Sequence, residues 1–247
     1  MNEAYTDAYP LLYEQHWWWR ARERILTEEI ANLLRRRPAA RMLDVGCGAG
    51  LFFDALARFG EIEGIESDAP SVARSGRWQS RITLGNLDER FHPAAPYDLI
   101  MFLDVLEHVE NPASMLRRAA EILSTDGKIL ITVPAFKWLW TAHDELNHHV
   151  TRFSRSELRL LIADAGLHVS ESRYLFQSLV MPKLAVRLRE FLVDADPAVP
   201  SVPTPLINHV LQSWCRWEHL ALGWLPFGTS VMAVAEPGDR VGTHGRN

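Results

Sequence analysis

A chain of 247 residues, 47% hydrophobic and 23% charged, has the bulk make-up of a folded globular protein and excludes the disordered and fibrous classes. A formal net charge of -5 argues against broad electrostatic capture of nucleic acid, and two cysteines, Cys47 and Cys215, imply no disulfide framework. The opening MNEAYTDAYP carries no basic and apolar leader, and no run reaches the roughly 18 to 20 apolar residues of a membrane span, so a cytoplasmic protein without an integral membrane segment is expected.

In chain order, YEQHWWWRARERILTEEIANLLRRR places Leu26, Ile30, Leu33 and Leu34 on one helical face. Arg35, Arg36 and Arg37 suit the negative end of that helix, and Pro38 stops it. From Arg41 short apolar runs alternate with amphipathic segments. RMLDVG, EIEGIES, RITLG, YDLIMFL and KILITVP read as strands, with LFFDALARFG and PSVARSGRW as helices between them, the pattern of βαβ units and a parallel sheet. Asn111 and Pro112 open a helix after the fourth strand, and a capping box from Ser154 to Glu157 opens another that ends near Gly166. HVSESRYLF and TSVMAVAE bring the count to about seven strands. Between those two lies a stretch too long for a turn, in which SLVMPKLAVRLREFLV and LINHVLQSWCRWEHLALGW flank the proline-rich DPAVPSVPTP. The expected organisation is a helical lid at 1–40, an α/β core at 41–176 and 227–238, an inserted helical cap at 177–226 and a frayed tail at 239–247.

The segment LDVGCGAG, Leu43 to Gly50, sits where the first strand meets its helix. Glycines there let a ligand approach the backbone, and Glu66, at the end of the second strand, is placed to bind ribose hydroxyls. A dinucleotide fingerprint requires a third glycine one position later, where this chain has Leu51. Asp44 would repel a pyrophosphate but attracts the ammonium or sulfonium of an amino-acid-bearing nucleoside. The turn therefore favours S-adenosylmethionine over NAD.

With LDVGCGAG, Glu66, YDLIMFLDVLEHV and GKILITVP in this order, the chain resembles the class I S-adenosylmethionine-dependent methyltransferases over roughly Arg41 to Pro134. The resemblance implies a Rossmann-like, doubly wound, seven-stranded and mostly parallel sheet with an antiparallel last strand. It implies that Asp44, Gly46 and Gly48 line the methionine moiety, with Cys47 and Gly50 in the same turn and Glu66 at the ribose. Ser67, Asn86 and Leu87 would surround the adenine, and Leu103 and Asp104 would face the cofactor from the other side. Asn86 departs from the aspartate many relatives carry near the adenine amino group. S-adenosylhomocysteine would be the product.

Methyl transfer aligns a nucleophile in line with the methyl carbon, and a hydroxyl nucleophile also needs a base. His143, His148 and His149 cluster in TAHDELNHHVTRFS just after the fifth strand, and His108 follows the fourth, so these four are the catalytic candidates. Their irregular spacing, without a companion cysteine or glutamate cluster, predicts no metal site. The block PAFKWLWTAHDELNHHVTRFS, together with HWW at His16 to Trp18, also resembles a subgroup found in bacterial natural-product, lipid-linked and glycan pathways. Among nine tryptophans, Trp18, Trp138 and Trp140 are the expected substrate-pocket walls. The expected activity is methyl transfer to an oxygen, or to a nitrogen or carbon, of a small aromatic or hydrophobic metabolite. Alternatives are action on a lipid-linked or glycan metabolite at a membrane surface, with SLVMPKLAVRLREFLV meeting the bilayer, an NAD-type oxidoreductase, and a non-catalytic nucleoside-binding module.

Overall fold

The computed structural model describes residues 3–193 and 200–238. The tail at 239–247 and the first part of the proline-rich segment lie outside the described residues. Seven strands form one sheet: β1 (Ala40–Val45), β2 (Gly60–Glu66), β3 (Ile82–Leu84), β4 (Tyr97–Leu103), β5 (Leu123–Pro134), β6 (Leu167–Leu175) and β7 (Ser230–Pro237). Their spatial order is β3-β2-β1-β4-β5-β7-β6. β1 to β5 run parallel, and β7 lies antiparallel between β5 and β6, as expected for the last strand.

The order reverses at β1, which pairs with β2 on one side and β4 on the other. In open α/β sheets the crevice at such a reversal, beyond the carboxyl ends of the strands, is where ligands bind. The two central strands read as unbroken apolar runs because both sheet faces are covered. Leu43, Ile100 and Phe102 pack toward α5 (Pro112–Glu121) and α7 (Arg155–Asp164), while Met42, Leu99 and Met101 share the opposite core with Leu26 and Ile30 of α2 (Trp17–Leu33).

Two helices are shorter than their sequence pattern. LFFDALARFG yields only α3 (Phe53–Leu56), because the chain turns into β2 at Gly60, where φ is +150° and an added Cβ would lie 2.0 Å from the Ala40 carbonyl oxygen. PSVARSGRW yields α4 (Ala69–Ala73) followed by a 3-10 turn over Gly76–Arg81, with Gly76 at φ +55°. At the N-terminus α1 (Glu3–Gln15) and α2 are separated at His16, whose ring Nδ1 caps α2 by accepting from the Trp18 amide at 3.2 Å. Asn111 caps α5, and the Ser154 capping box opens α7, both as read from sequence. The remaining helices are α6 (Ala142–Leu146), α8 (Val180–Leu192) and α9 (Pro205–Leu222). Among the described residues no helix is long and apolar enough to cross a membrane.

Candidate active site

The glycine turn leaves β1 with Gly46 at φ +71° and Gly48 at φ +56°. At Gly46 a Cβ would meet Val105 Cγ2 at 2.7 Å, whereas at Gly48 it would meet nothing within 4 Å. The first glycine is thus required by packing, and the second leaves open space above the backbone. The Gly48 amide donates to Glu66 Oε2 at 2.8 Å and the Asp68 amide donates to Oε1 at 2.8 Å. The Glu66 carboxylate is therefore fixed at the end of β2 by two backbone donors, the pre-organisation a ribose-binding acid needs.

Asp44 is 4% exposed at the end of β1. Burial pushes its carboxyl up to about 7, with Arg22 opposing and Glu66 adding to the rise. Burial also pushes the Cys47 thiol far above its ordinary value, which makes it inert as a nucleophile.

Gly46, Cys47, Gly48 and Glu66 open onto a cleft of about 1290 Å³ at the switch point between β1 and β4. Leu103, Asp104 and His108 form its second wall, His143, His148, His149 and Arg152 a third, and Trp17, Trp18 and Arg22 of α2 a fourth. α2 is tied to the sheet by charge: Arg22 Nη2 lies 2.8 Å from Asp104 Oδ2 and donates to Thr132 Oγ1 at 3.2 Å. The Thr132 hydroxyl donates to Asp104 Oδ1 at 3.1 Å, which helps hold Asp104 at φ +62°. Burial pulls the Arg22 pKa down, but Asp104 together with Tyr9, Tyr13 and Glu107 raises it by more.

The histidine wall is organised by Asp144, which has no exposed surface. It accepts from Arg152 Nε at 2.7 Å and Nη2 at 3.0 Å and from the Thr141 amide at 2.9 Å, and His149 Nδ1 lies 2.7 Å from Oδ1. Burial alone would raise the Asp144 carboxyl; His149 and Arg152 instead hold it well below the usual carboxylate range. An ionised carboxylate only accepts, so Nδ1 of His149 carries the proton and Nε2 is the basic nitrogen. His148 adopts φ +58°, turning the chain so that the His149 amide reaches the Asp144 carbonyl at 2.9 Å.

The His149 ring meets His108 edge to face with centroids 4.8 Å apart. Beside them Glu107 is completely buried, and among the described residues neither of its carboxyl oxygens has a hydrogen-bond partner. Burial, reinforced by Asp104, raises its carboxyl well above the ordinary glutamate value. One ligand atom each from Glu107, His108 and His149 lie within 4.8 Å of one another, the right residue types for a divalent ion. His143 stands apart: Asn147 Nδ2 lies 3.0 Å from its Nε2, and burial, with Lys183 adding, lowers its pKa to about 4.

The cleft brings together Asp44, Gly46, Cys47, Gly48, Glu66, Ser67, Leu103, Asp104, the four histidines and Trp18. It does not reach five other residues that the sequence led us to expect there. Gly50 packs against Ile82 and Phe53, Leu87 is buried in the core, and Asn86 is exposed on the loop after β3. Trp138 is 46% exposed, stacked on Phe136 outside the cleft, and Trp140, half-buried just after the 3-10 turn at Lys137–Leu139, does not line it either. Sequence reasoning did not single out Arg22, Glu107, Asp144 or Arg152. The His-Asp pair and the basic residue before Phe153 were visible signals, but their convergence depends on α6 and the turn after it.

A family model described as a methyltransferase domain matches residues 18–172. The chain belongs to that family. The expectation of a class I S-adenosylmethionine-dependent methyltransferase, an enzyme whose cofactor is S-adenosylmethionine, holds on this match. Among curated relatives, the methyltransferase is 29% identical over 160 residues to a ubiquinone biosynthesis O-methyltransferase of Xanthomonas axonopodis pv. citri, covering 56% of this chain and 66% of that one. It is 26% identical over 192 residues to a probable S-adenosylmethionine-dependent methyltransferase of Mycolicibacterium smegmatis, covering 76% and 73%. The chain thus spans less than two thirds of the ubiquinone-pathway relative's length. A solved structure of a putative sarcosine dimethylglycine methyltransferase from Galdieria sulphuraria shares the fold, with a TM-score of 0.57, 20% identity, and coverage of 88% of this chain and 85% of that one.

Proposed function

We propose that this methyltransferase transfers a methyl group to a hydroxyl oxygen of a small, apolar or aromatic acceptor, with His149 as the general base. The observation that carries this reading is the Asp144–His149 pair, a buried carboxylate orienting an imidazole that lines the cleft. The residues fit the cofactor: Gly46 and Gly48 leave room beside the methionine part, Asp44 meets its ammonium, and Glu66 meets the ribose. When bound, S-adenosylmethionine supplies a methyl group on a cationic sulfur and leaves as the neutral thioether S-adenosylhomocysteine.

The chain's own residues do the rest. His149 Nε2 takes the acceptor's hydroxyl proton as the new oxygen–carbon bond forms, and Asp144 steadies the imidazolium, itself held by Arg152. Burial raises the Glu107 carboxyl above its ordinary value, the direction that disfavours a second negative charge beside Asp104. Trp18 supplies an apolar wall. Resemblance to an O-methyltransferase of ubiquinone biosynthesis supports an oxygen acceptor on an apolar scaffold.

The test measures turnover of phenolic acceptors beside S-adenosylhomocysteine affinity for His149→Ala and His143→Ala. Loss of about 10²- to 10⁴-fold in kcat for His149→Ala is expected, with cofactor affinity and turnover in EDTA unchanged. Equal, small effects of the two substitutions would overturn the assignment of the base.

A further inference from the structure

α8 has two faces of opposite character. Lys183 and Glu190, at i and i+7, turn inward: Lys183 lines the cleft, the Glu190 carboxylate accepts from the Ala142 amide at 3.1 Å, and Val186, 48% exposed, borders the cleft between them. Met181, Leu188 and Leu192, at i, i+7 and i+11, turn outward and are 60–70% exposed, with Phe191 beside them at 85%. A helix that packs with one stripe ordinarily shows polar residues on the other.

α9 repeats the inversion. Its buried side, Cys215 and Glu218, rests on the body of the protein, where the Glu218 carboxylate accepts from the Ser178 hydroxyl at 3.0 Å. Its outer side carries Leu206, Val210, Trp217 and Leu220 at helical spacing, between 52% and 75% exposed; Trp214, whose indole donates to the Ser178 hydroxyl at 3.0 Å, is 46% exposed beside them, and Trp224, 76% exposed, follows just past the helix end. Among the described residues nothing covers either stripe. Single exposed apolar residues are normal on a soluble surface, but two helices that each expose an apolar stripe are not.

The charges identify the occupant. Although the whole chain carries a net charge of -5, the exposed charged side chains on α8 and α9 are Arg189, Arg187, which also donates to the Trp138 carbonyl, and Arg216, which pairs with Glu28 of α2 at 3.5 Å. The acids of these helices, Glu190 and Glu218, are both drawn inward into the hydrogen bonds just named. Outward leucines and tryptophans with interspersed arginines are the composition of a helix lying in the headgroup region of an anionic bilayer, where indoles favour the interface and arginines meet phosphates. A second copy of this chain would bring the same arginines against each other.

We infer that the outer faces of α8 and α9 seat the protein on an anionic lipid surface. Because the inner face of α8 is a wall of the cleft, an acceptor with a lipid tail would pass from the bilayer to the His149 corner along this helix. That last step rests on the proposed methyl-transfer reading, whereas the docking does not.

The experiment is co-sedimentation of the full chain with vesicles of phosphatidylcholine alone and of equimolar phosphatidylcholine and phosphatidylglycerol, at low and high salt. Light scattering of the free protein and titration with S-adenosylhomocysteine run in parallel. Binding to the mixed vesicles is expected, weaker on the neutral ones and reduced by salt. A Trp217→Ser/Trp224→Ser double variant is expected to bind at least about tenfold more weakly, and a Leu188→Ser/Leu192→Ser variant likewise, since each removes buried apolar area from the membrane contact. Both variants should keep the wild-type affinity for S-adenosylhomocysteine, so failure of docking and failure of the methyltransferase reading are read separately. No binding by the wild type, equal binding by the variants, or a dimer that the tryptophan substitutions dissolve would overturn the inference.

Discussion

Asp44 shows how one side chain couples cofactor binding to pH. Its folded carboxyl, pushed up to about 7 by burial, is half-protonated at neutral pH and can pair with an ammonium only when ionised. Affinity for S-adenosylhomocysteine should therefore rise severalfold between pH 6 and pH 8, and Asp44→Asn should weaken binding and flatten that dependence in a calorimetric titration. The sign for stability is the reverse. A carboxyl whose folded pKa lies above its unfolded value of about 4 costs stability progressively as pH rises from about 4 to about 7. Asp44→Asn should accordingly raise the Tm of the ligand-free protein at pH 8 more than at pH 4. At this scale the glycine turn and Glu66 were legible because their roles depend on short, fixed offsets in sequence. Glu107 was not legible. In DVLEHV it reads as a polar residue beside a turn, and only the fold shows it buried among His108, His149 and Asp104, without a hydrogen-bond partner among the described residues.

Elements were legible wherever period and punctuation agreed. The central strands β1, β4 and β5 fall where their apolar runs stand, because a sheet covered on both faces selects nearly continuous β-branched and aliphatic residues, while the edge strand β6 alternates buried and exposed positions along part of its length. The helix starts at Asn111 and Ser154 follow from side chains that satisfy amides left open in the first turn. Replacing Ser154 by Ala removes both its acceptor for the Glu157 amide and its place in the capping box, and should lower stability by about 1 kcal/mol in a urea titration with kcat unchanged. α3 and α4 fell short of their amphipathic patterns because β2 begins at a glycine pressed against Ala40 and the chain turns again at Gly76. Such tertiary contacts leave no periodic trace. The tryptophans divide in the same way. Trp18, on a helix laid across the cleft, meets the cavity, while Trp138 and Trp140, at a 3-10 turn whose direction the sequence does not encode, do not.

At the scale of the whole molecule, the reversal of strand order at β1 gathers residues from four separate stretches into one cleft. Arg22 from the N-terminal helix, the turn after β1, the loop after β4 and the histidine segment after β5 all meet there. Each contributes something the others lack: a charge tie that seats the helix over the site, a backbone surface with an acid fixed beside it, a second wall, and a histidine oriented by a buried carboxylate. The central claim is that the turn at Gly46–Gly50 and Glu66 are built for an amino-acid-bearing nucleoside and not for a dinucleotide. Calorimetric titration of the wild type and of Glu66→Ala with S-adenosylhomocysteine and with NAD tests it most directly. Micromolar binding of S-adenosylhomocysteine, weakened at least about tenfold in the variant and absent for NAD, is the predicted result. Binding of NAD alone, or S-adenosylhomocysteine binding that is indifferent to Glu66, would contradict it.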